Sequence, residues 1–258
     1  MDSAAPPRQP CAACQARVAV PPLSMAFQPI LRWGADGTHG LYGYEALVRG
    51  PAGESAASVL AQVTEENRYA FDQTCRVRAI ELATRLGLTA QAALLSVNFM
   101  ANAVYEPRAC IRTTLDAARR TGLPHERLVF EFTEQELMRD PAHLRRILAS
   151  YREIGFRTAI DDFGAGHSGL GLLADFQPDV VKLDMALVHG VDHDRARRTI
   201  LRHVVAMCRD LGCAVLAEGV ETEAEFEALR ELGLTLFQGY LLGRPGFEAL
   251  PALTLPGQ

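Results

Sequence analysis

An alternation constrains this chain more than any other feature of its sequence. Eight short apolar runs rich in Val, Ile, Leu and Phe recur along it: MAFQPI (25–30), LYGYEALV (41–48), LLSVNF (94–99), RLVFEF (127–132), RTAIDD (157–162), VVKLD (180–184), AVLAEGV (214–220) and LTLFQGY (234–240). Helix-length stretches separate most of them, at 54–87, 107–122, 140–155, 194–212 and 222–233, with a shorter one at 168–176. All but the short one end in glycine, and the stretch at 140–155 opens on an Asp cap with Pro at the first helical position. Unbroken apolar strands alternating with helices read as parallel strands covered by helices. One connection departs from this. Residues 31–41, LRWGADGTHGL, are too few for a crossover helix and carry Asp36-Gly37, which predicts a hairpin. The first strand then runs antiparallel to the second, and the remaining strands run parallel to the second. The expected fold is α/β, a TIM-type (β/α)8 barrel with the first strand antiparallel. An open doubly wound sheet is the competing architecture, but it calls for a Gly-rich first βα turn that the sequence lacks.

The length, 258 residues, suits a single barrel of that kind. Residues 1–22 are rich in Ala, Pro and Cys without periodicity and are expected to be a flexible tail, leaving 23–258 as the barrel. The N-terminus has no apolar stretch of signal-peptide length and no run approaches a membrane span, so a cytoplasmic protein without a membrane segment is expected. A net charge of −5 excludes gripping duplex nucleic acid through Lys and Arg alone. It leaves room for a phosphate-bearing ligand if metal ions bring the positive charge.

The chemistry lies in polar residues set into the apolar runs. Glu45, Asn98, Glu131, Asp161, Asp162, Lys182, Glu218 and Gln238 fall within or at the ends of the strands, mostly toward the C-terminal ends. In a barrel those ends converge on one face, where catalytic groups gather. Glu45, Glu131, Asp161, Asp162, Glu218 and Glu221 then stand as carboxylates against the single cation Lys182. Such a cluster of anions is strongly unfavourable without counter-charge. Carboxylates with an amide oxygen from Asn98, and no clustered His or Cys, select a hard divalent ion, Mg2+ or Mn2+ before Ca2+. Two such ions sharing a carboxylate are the usual machinery for cutting phosphodiesters.

YEALVRG (44–50), SVNF (96–99), FEFTE (130–134), IDDFGAGHSGL (160–170), VKLD (181–184), AEGVE (217–221) and FQGYLLGRP (237–245), in that order, resemble the EAL-domain phosphodiesterases, bacterial enzymes that linearise cyclic di-GMP. The resemblance covers about residues 24–247. It implies a metal-dependent phosphodiesterase producing linear pGpG through a water activated by two ions. By the same resemblance Glu45, Asn98, Glu131 and Asp161 match the first metal set, and Asp161, Asp162 and Glu218 match the second. Lys182 matches the lysine near the attacking water, as a base of lowered pKa or as a charged stabiliser. Glu221 and Gln238 match supports of that water and of the second metal's surroundings. Glu134 matches a glutamate that shapes a loop involved in metal binding and dimer contact. Gln28, Leu47 and Arg49 match substrate contacts, Arg49 to a phosphate oxygen, and Asp184 pairs with neighbouring site groups. A homodimer is expected on the same grounds.

Met100 stands where many members have Ser, His167 stands in place of an aromatic, and MALVHGVDHD follows Asp184. These departures touch loops that couple dimerisation to activity and remove no metal ligand. Two other functions compete: a catalytically inactive cyclic di-GMP receptor or protein-interaction module on the same barrel, and a Mg2+ barrel acting on an enolate-forming acid. Remaining signals are read as bland. Cys11 and Cys14 form a lone CxxC in the tail, the other four cysteines suit buried thiols, His189 and His193 suit a solvated loop, and Arg195, Arg197, Arg198 and Arg202 suit the outer face of an amphipathic helix.

Overall fold

The computed structural model describes residues 18–104, 106–133, 140–166 and 169–257. Most of the expected tail, with Cys11 and Cys14, lies outside these residues, as do Glu134 and His167. Strand β1 (Ser24–Trp33) and β2 (His39–Arg49) form the expected hairpin, paired antiparallel with Gln28 opposite Glu45. Asp36 shapes its turn by accepting a hydrogen bond from the Thr38 amide at 3.0 Å, and Gly37 takes a left-handed φ of 81°. Next come β3 (Leu94–Asn98), β4 (Leu128–Thr133), β5 (Arg157–Phe163), β6 (Val180–Leu183), β7 (Ala214–Ala217) and β8 (Leu236–Phe237), each parallel to its predecessor from β2 onward. Because β1 pairs with both β2 and β8, the sheet closes. The result is a (β/α) barrel with its first strand reversed, and the open doubly wound alternative is excluded. A two-residue strand β9 (Gly246–Phe247), absent from the sequence reading, adds to β1 beside Ala26 and Phe27.

The helices follow their caps. Asp140 accepts from the His143 amide to start α5 (Pro141–Ile154), and Asp194 accepts from Ala196 and Arg197 to start α8 (Arg195–Asp210). Thr222 and Glu225 form a capping box on α9 (Glu223–Glu231). The helix expected over 54–87 is two helices, α1 (Ala56–Leu60) and α2 (Arg68–Arg85). Asn67 is the cause. Its buried side chain accepts from the Thr64 amide at 2.7 Å and donates to the Gln62 carbonyl at 3.1 Å, fixing a turn that a helix could not contain. The stretch at 107–122 likewise divides into α3 (Pro107–Cys110) and α4 (Arg112–Thr121), and α6 (Gly169–Asp175) matches the short helix. An unforeseen turn of helix, α7 (Met185–Val188), is capped by Asp184. Among the described residues no helix is long and apolar enough to cross a membrane. Cys110, Cys208 and Cys213 are buried thiols, as expected, whereas Cys75 is only half-buried.

The large apolar core fills the space between the barrel wall and the helices. A smaller cluster plugs the barrel interior: Ile30, Tyr42, Val129, Ala159, Val180, Leu216 and Leu236. This plug sets the floor of the site.

Candidate active site

Strand side chains alternate sides with a period of two, and barrel interiors fill in layers. Here the step from one layer to the next changes chemistry. Two residues beyond Val129, Ala159, Val180, Leu216 and Leu236 of the plug come Glu131, Asp161, Lys182, Glu218 and Gln238. On the reversed strand the order inverts, and Gln28 precedes Ile30 by two. Strands β1 and β4 to β8 therefore each deliver an apolar group to the floor and a polar group to the layer above it, at the C-terminal end of the parallel strands.

Lys182 is the centre of that layer. It is 1% exposed. Its Nζ lies 2.9 Å from Glu131 Oε2, 2.9 Å from Asp161 Oδ1, 2.9 Å from Glu218 Oε1 and 3.4 Å from Glu45 Oε2. Neutral groups orient the carboxylates. Asn98 Nδ2 donates to Glu45 Oε1 at 3.2 Å and Gln238 Nε2 donates to Glu45 Oε2 at 2.8 Å. Gln238 Nε2 also reaches Gln28 Oε1 at 3.2 Å, and Gln28 Nε2 donates to the Gly243 carbonyl at 3.1 Å. Ser96, buried inside β3, donates its hydroxyl to Glu131 Oε1.

Consecutive residues of a regular strand point to opposite faces, so Asp161 and Asp162 should not share a site. The pairing of β5 with β6 slips between Ile160 and Phe163, and Asp162 adopts a left-handed φ of 54°. This bulge turns Asp162 back toward the mouth, a use of backbone strain typical of functional sites. Asp162 there lines an open cleft of about 470 Å3 with Gln28, Leu47, Asp184, Glu221 and Tyr240. Glu45, Glu218 and Gln238 reach the same cleft from below.

Burial and crowding set the protonation of the layer. Burial lifts the Glu131 carboxyl to about 8; Glu45 and Asp161 add to the rise, while Lys182 and the Ser96 hydroxyl oppose it. Burial also pushes Glu218 well above the usual carboxylate range, against the pull of Lys182. Asp162 is raised by partial burial and then by Asp161. Burial alone would lower Lys182, but Asp161, Glu131, Glu218 and Glu45 outweigh it and hold the ammonium well above its ordinary value. The layer is short of positive charge.

That shortage and the donor chemistry fit divalent cations. One oxygen each from Glu45, Glu131 and Asp161 lie within 4.8 Å of one another, as do oxygens of Asp161, Asp162 and Glu218, with Asp161 common to both sets. All these donors are hard carboxylate oxygens, the type that Mg2+ and Mn2+ select. In addition, Gln238 Oε1 is buried beside Glu45 without a hydrogen-bond partner among the described residues.

The sequence-derived residues thus fall into three groups. Glu45, Asn98, Glu131, Asp161, Lys182, Glu218 and Gln238 meet in one hydrogen-bonded layer, while Gln28, Leu47, Asp162, Asp184 and Glu221 line the cleft above it. Asp184 also caps α7 through the Ala186 amide at 2.8 Å. Arg49 stands apart from the layer; its guanidinium donates to the Val48 carbonyl at 2.7 Å and lines a neighbouring apolar cavity that Leu47 shares. The sequence reading missed Ser96, although its place two residues before Asn98 in an apolar strand signals the same inward face. His189, expected in a solvated loop, is half-buried with Nε2 2.9 Å from the Gly219 carbonyl, beside Glu218.

The fold is shared with known proteins. A family model described as EAL domain matches residues 13–245. The chain superimposes on a standalone EAL protein from Vibrio cholerae O395, solved with c-di-GMP bound, with a TM-score of 0.85 and 50% identity, covering 90% of this chain and 95% of that one. It superimposes on Klebsiella pneumoniae BlrP1, in a manganese and cyclic di-GMP complex at pH 6, with a TM-score of 0.81 and 36% identity over 91% of this chain and 58% of that one. In sequence it is 37% identical over 123 residues to the cyclic di-GMP phosphodiesterase RocR of Pseudomonas aeruginosa, covering 48% of this chain and 31% of RocR. Against three other curated relatives, the chain spans 33%, 52% and 26% of their lengths.

Proposed function

This chain belongs to the EAL-domain family, and from that premise we propose that it is a phosphodiesterase opening cyclic di-GMP to linear pGpG at the Lys182 layer. The observation that carries the reading is the pair of oxygen triads sharing Asp161 at the barrel mouth, directly below a cleft open to a dinucleotide. An acidic protein can hold an anionic substrate there only if cations intervene. The likeness to a c-di-GMP-bound relative over nearly its whole length supports cyclic di-GMP as that anion.

Glu45, Asn98, Glu131 and Asp161 would hold one Mg2+ or Mn2+, and Asp161, Asp162 and Glu218 a second. When bound, such ions polarise the phosphate and make a coordinated water more acidic. The chain's own groups do the rest. Gln238 and Asn98 hold the two oxygens of Glu45 in fixed directions, and Ser96 and Lys182 do the same for Glu131. Lys182 supplies the one resident positive charge of the layer among the described residues and so offsets charge that develops on the phosphate. Glu221 and Gln238 support the attacking water, and Gln28, Leu47, Arg49 and Asp184 hold the substrate, with Arg49 swinging from the Val48 carbonyl to a phosphate oxygen. A bond forms between the water oxygen and phosphorus as the bond from phosphorus to the 3′ oxygen breaks. The water gives up a proton and the departing 3′ oxygen takes one.

Incubating the purified protein with cyclic di-GMP and Mg2+ or Mn2+, with and without EDTA, tests this by chromatography of the products. Metal-dependent appearance of pGpG is expected. Binding without turnover under every metal condition would replace the enzyme by a receptor.

A further inference from the structure

Outside the barrel, helix α2 carries a buried ion pair that the proposed chemistry does not use. Asp72 is 3% exposed and Arg76 1%. Arg76 Nη2 donates to Asp72 Oδ2 at 2.6 Å, and Arg76 Nη1 donates to Thr114 Oγ1 in α4 at 3.2 Å. Arg76 Nε has no partner among the described residues. As a device for stability this is poor, because desolvating two charges consumes most of their attraction, and an apolar pair of similar volume would serve as well. What an apolar pair could not supply is the second oxygen of Asp72. Its Oδ1 accepts the backbone N–H of Met100 at 2.9 Å.

Met100 lies two residues past Asn98, the last residue of β3. The Phe99 amide still bonds to β4, donating to the Glu131 carbonyl at 2.9 Å. At Met100 the ladder has ended, and Asp72 takes over. Beside this point lies a cavity of about 370 Å3, lined among others by Asp72, Cys75, Asn98, Phe99 and Met100. Packing therefore leaves the strand end room to shift, and the hydrogen bond from Met100 to Asp72 anchors it. Asn98 donates from its side-chain Nδ2 to Glu45 Oε1, so the direction in which its Oδ1 faces the layer depends on how the backbone of 98–100 is held.

We propose that Asp72, with Arg76 as its counter-charge, is a positioning residue that aims Asn98 at the first metal position. The inference rests on the reading of that layer as a metal site. Partners of this kind behind metal ligands are worth about 10–100-fold in metal affinity. The test is Mn2+ binding, measured without substrate by electron paramagnetic resonance, in two double variants. Asp72→Leu with Arg76→Met keeps volume and removes both charges, so it folds, but it leaves Met100 without an acceptor. We expect its Mn2+ affinity to fall by about 10-fold or more, with faster hydrogen exchange at the Met100 amide. Asp72→Asn with Arg76→Gln keeps an oxygen facing Met100 and is expected to retain wild-type affinity. Thr114→Val, which touches only the far side of Arg76, should also bind Mn2+ like wild type. If the folded Leu/Met variant binds as tightly as wild type, or if the Asn/Gln variant loses as much as the Leu/Met one, the inference is overturned. A wild-type protein that binds no Mn2+ would instead overturn the metal site itself, so the two failures are distinguishable.

Discussion

Replacing Lys182 by Met removes the only cation among the described residues that faces Glu45, Glu131, Asp161 and Glu218. At an effective dielectric near 20, a contact at 2.9 Å is a gross attraction of about 6 kcal/mol whenever the carboxyl is ionised. Desolvation of the ammonium offsets most of the total. Breaking a buried pair by removing one partner costs about 3–5 kcal/mol net. For a domain near this size each kcal/mol moves Tm by about 2–4 °C, so the variant in EDTA should melt on the order of 6–20 °C below wild type. The deficit should be conditional. Mn2+ restores positive charge to the layer without competition from the ammonium, and an ion at 100 times its Kd contributes about 2.7 kcal/mol. Lowering the pH should narrow the gap too, because the stranded carboxylates take up protons. Circular dichroism melts of both proteins, in EDTA and in Mn2+, read all of this. Equal melting in EDTA, or equal stabilisation of the two proteins by Mn2+, would refute the account of Lys182 as the resident counter-charge.

Glu45→Ala and Asp161→Ala should each abolish turnover of cyclic di-GMP; pGpG formed at the wild-type rate by either variant would remove those residues from the metal sets. The Glu131 carboxyl, held near 8 by burial, keeps its proton through neutral pH without metal. An ion needs the ionised form, so Mn2+ affinity should rise with pH up to about 8 and flatten above it, as calorimetric titration at several pH values would show. The sign for stability follows from the same shift. In EDTA an unfolded chain releases this proton near 4.5 and the folded one near 8, so the group's contribution to stability falls as pH rises between those values. Gly239→Ala should destabilise the fold by about 1–3 kcal/mol in urea unfolding, because its Cβ would run into the Val220 backbone, and the displaced Gln238 should weaken Mn2+ binding as well.

The placement of this site follows from ordinary barrel construction. The apolar plug lies below the layer and the cleft opens above it. Burial makes each carboxylate costly, and the same burial makes any cation that enters effective. The groups that tune the layer are uncharged: Asn98, Gln238, Gln28 and Ser96 direct oxygens without adding to the charge they manage.

By itself the sequence determined the barrel, the reversed first strand and most members of the site. These are local signals: a residue's inward face is set by a period of two, an α-helix by its caps and closing glycine, and a hairpin by a connection too short for anything else. Tertiary structure alone decided what depends on groups far apart in the chain. It set the bulge that brings Asp162 onto the same mouth as Asp161, a slip forced by pairing β5 against β6. It joined Lys182 to carboxylates from β2, β4 and β5 and to Glu218 just past β7. It also split the expected helix at 54–87 and bound Asp72 to the end of β3. Periodicity fixes which way a side chain points, whereas its partner is fixed only when the sheet closes and brings distant strands within hydrogen-bonding reach.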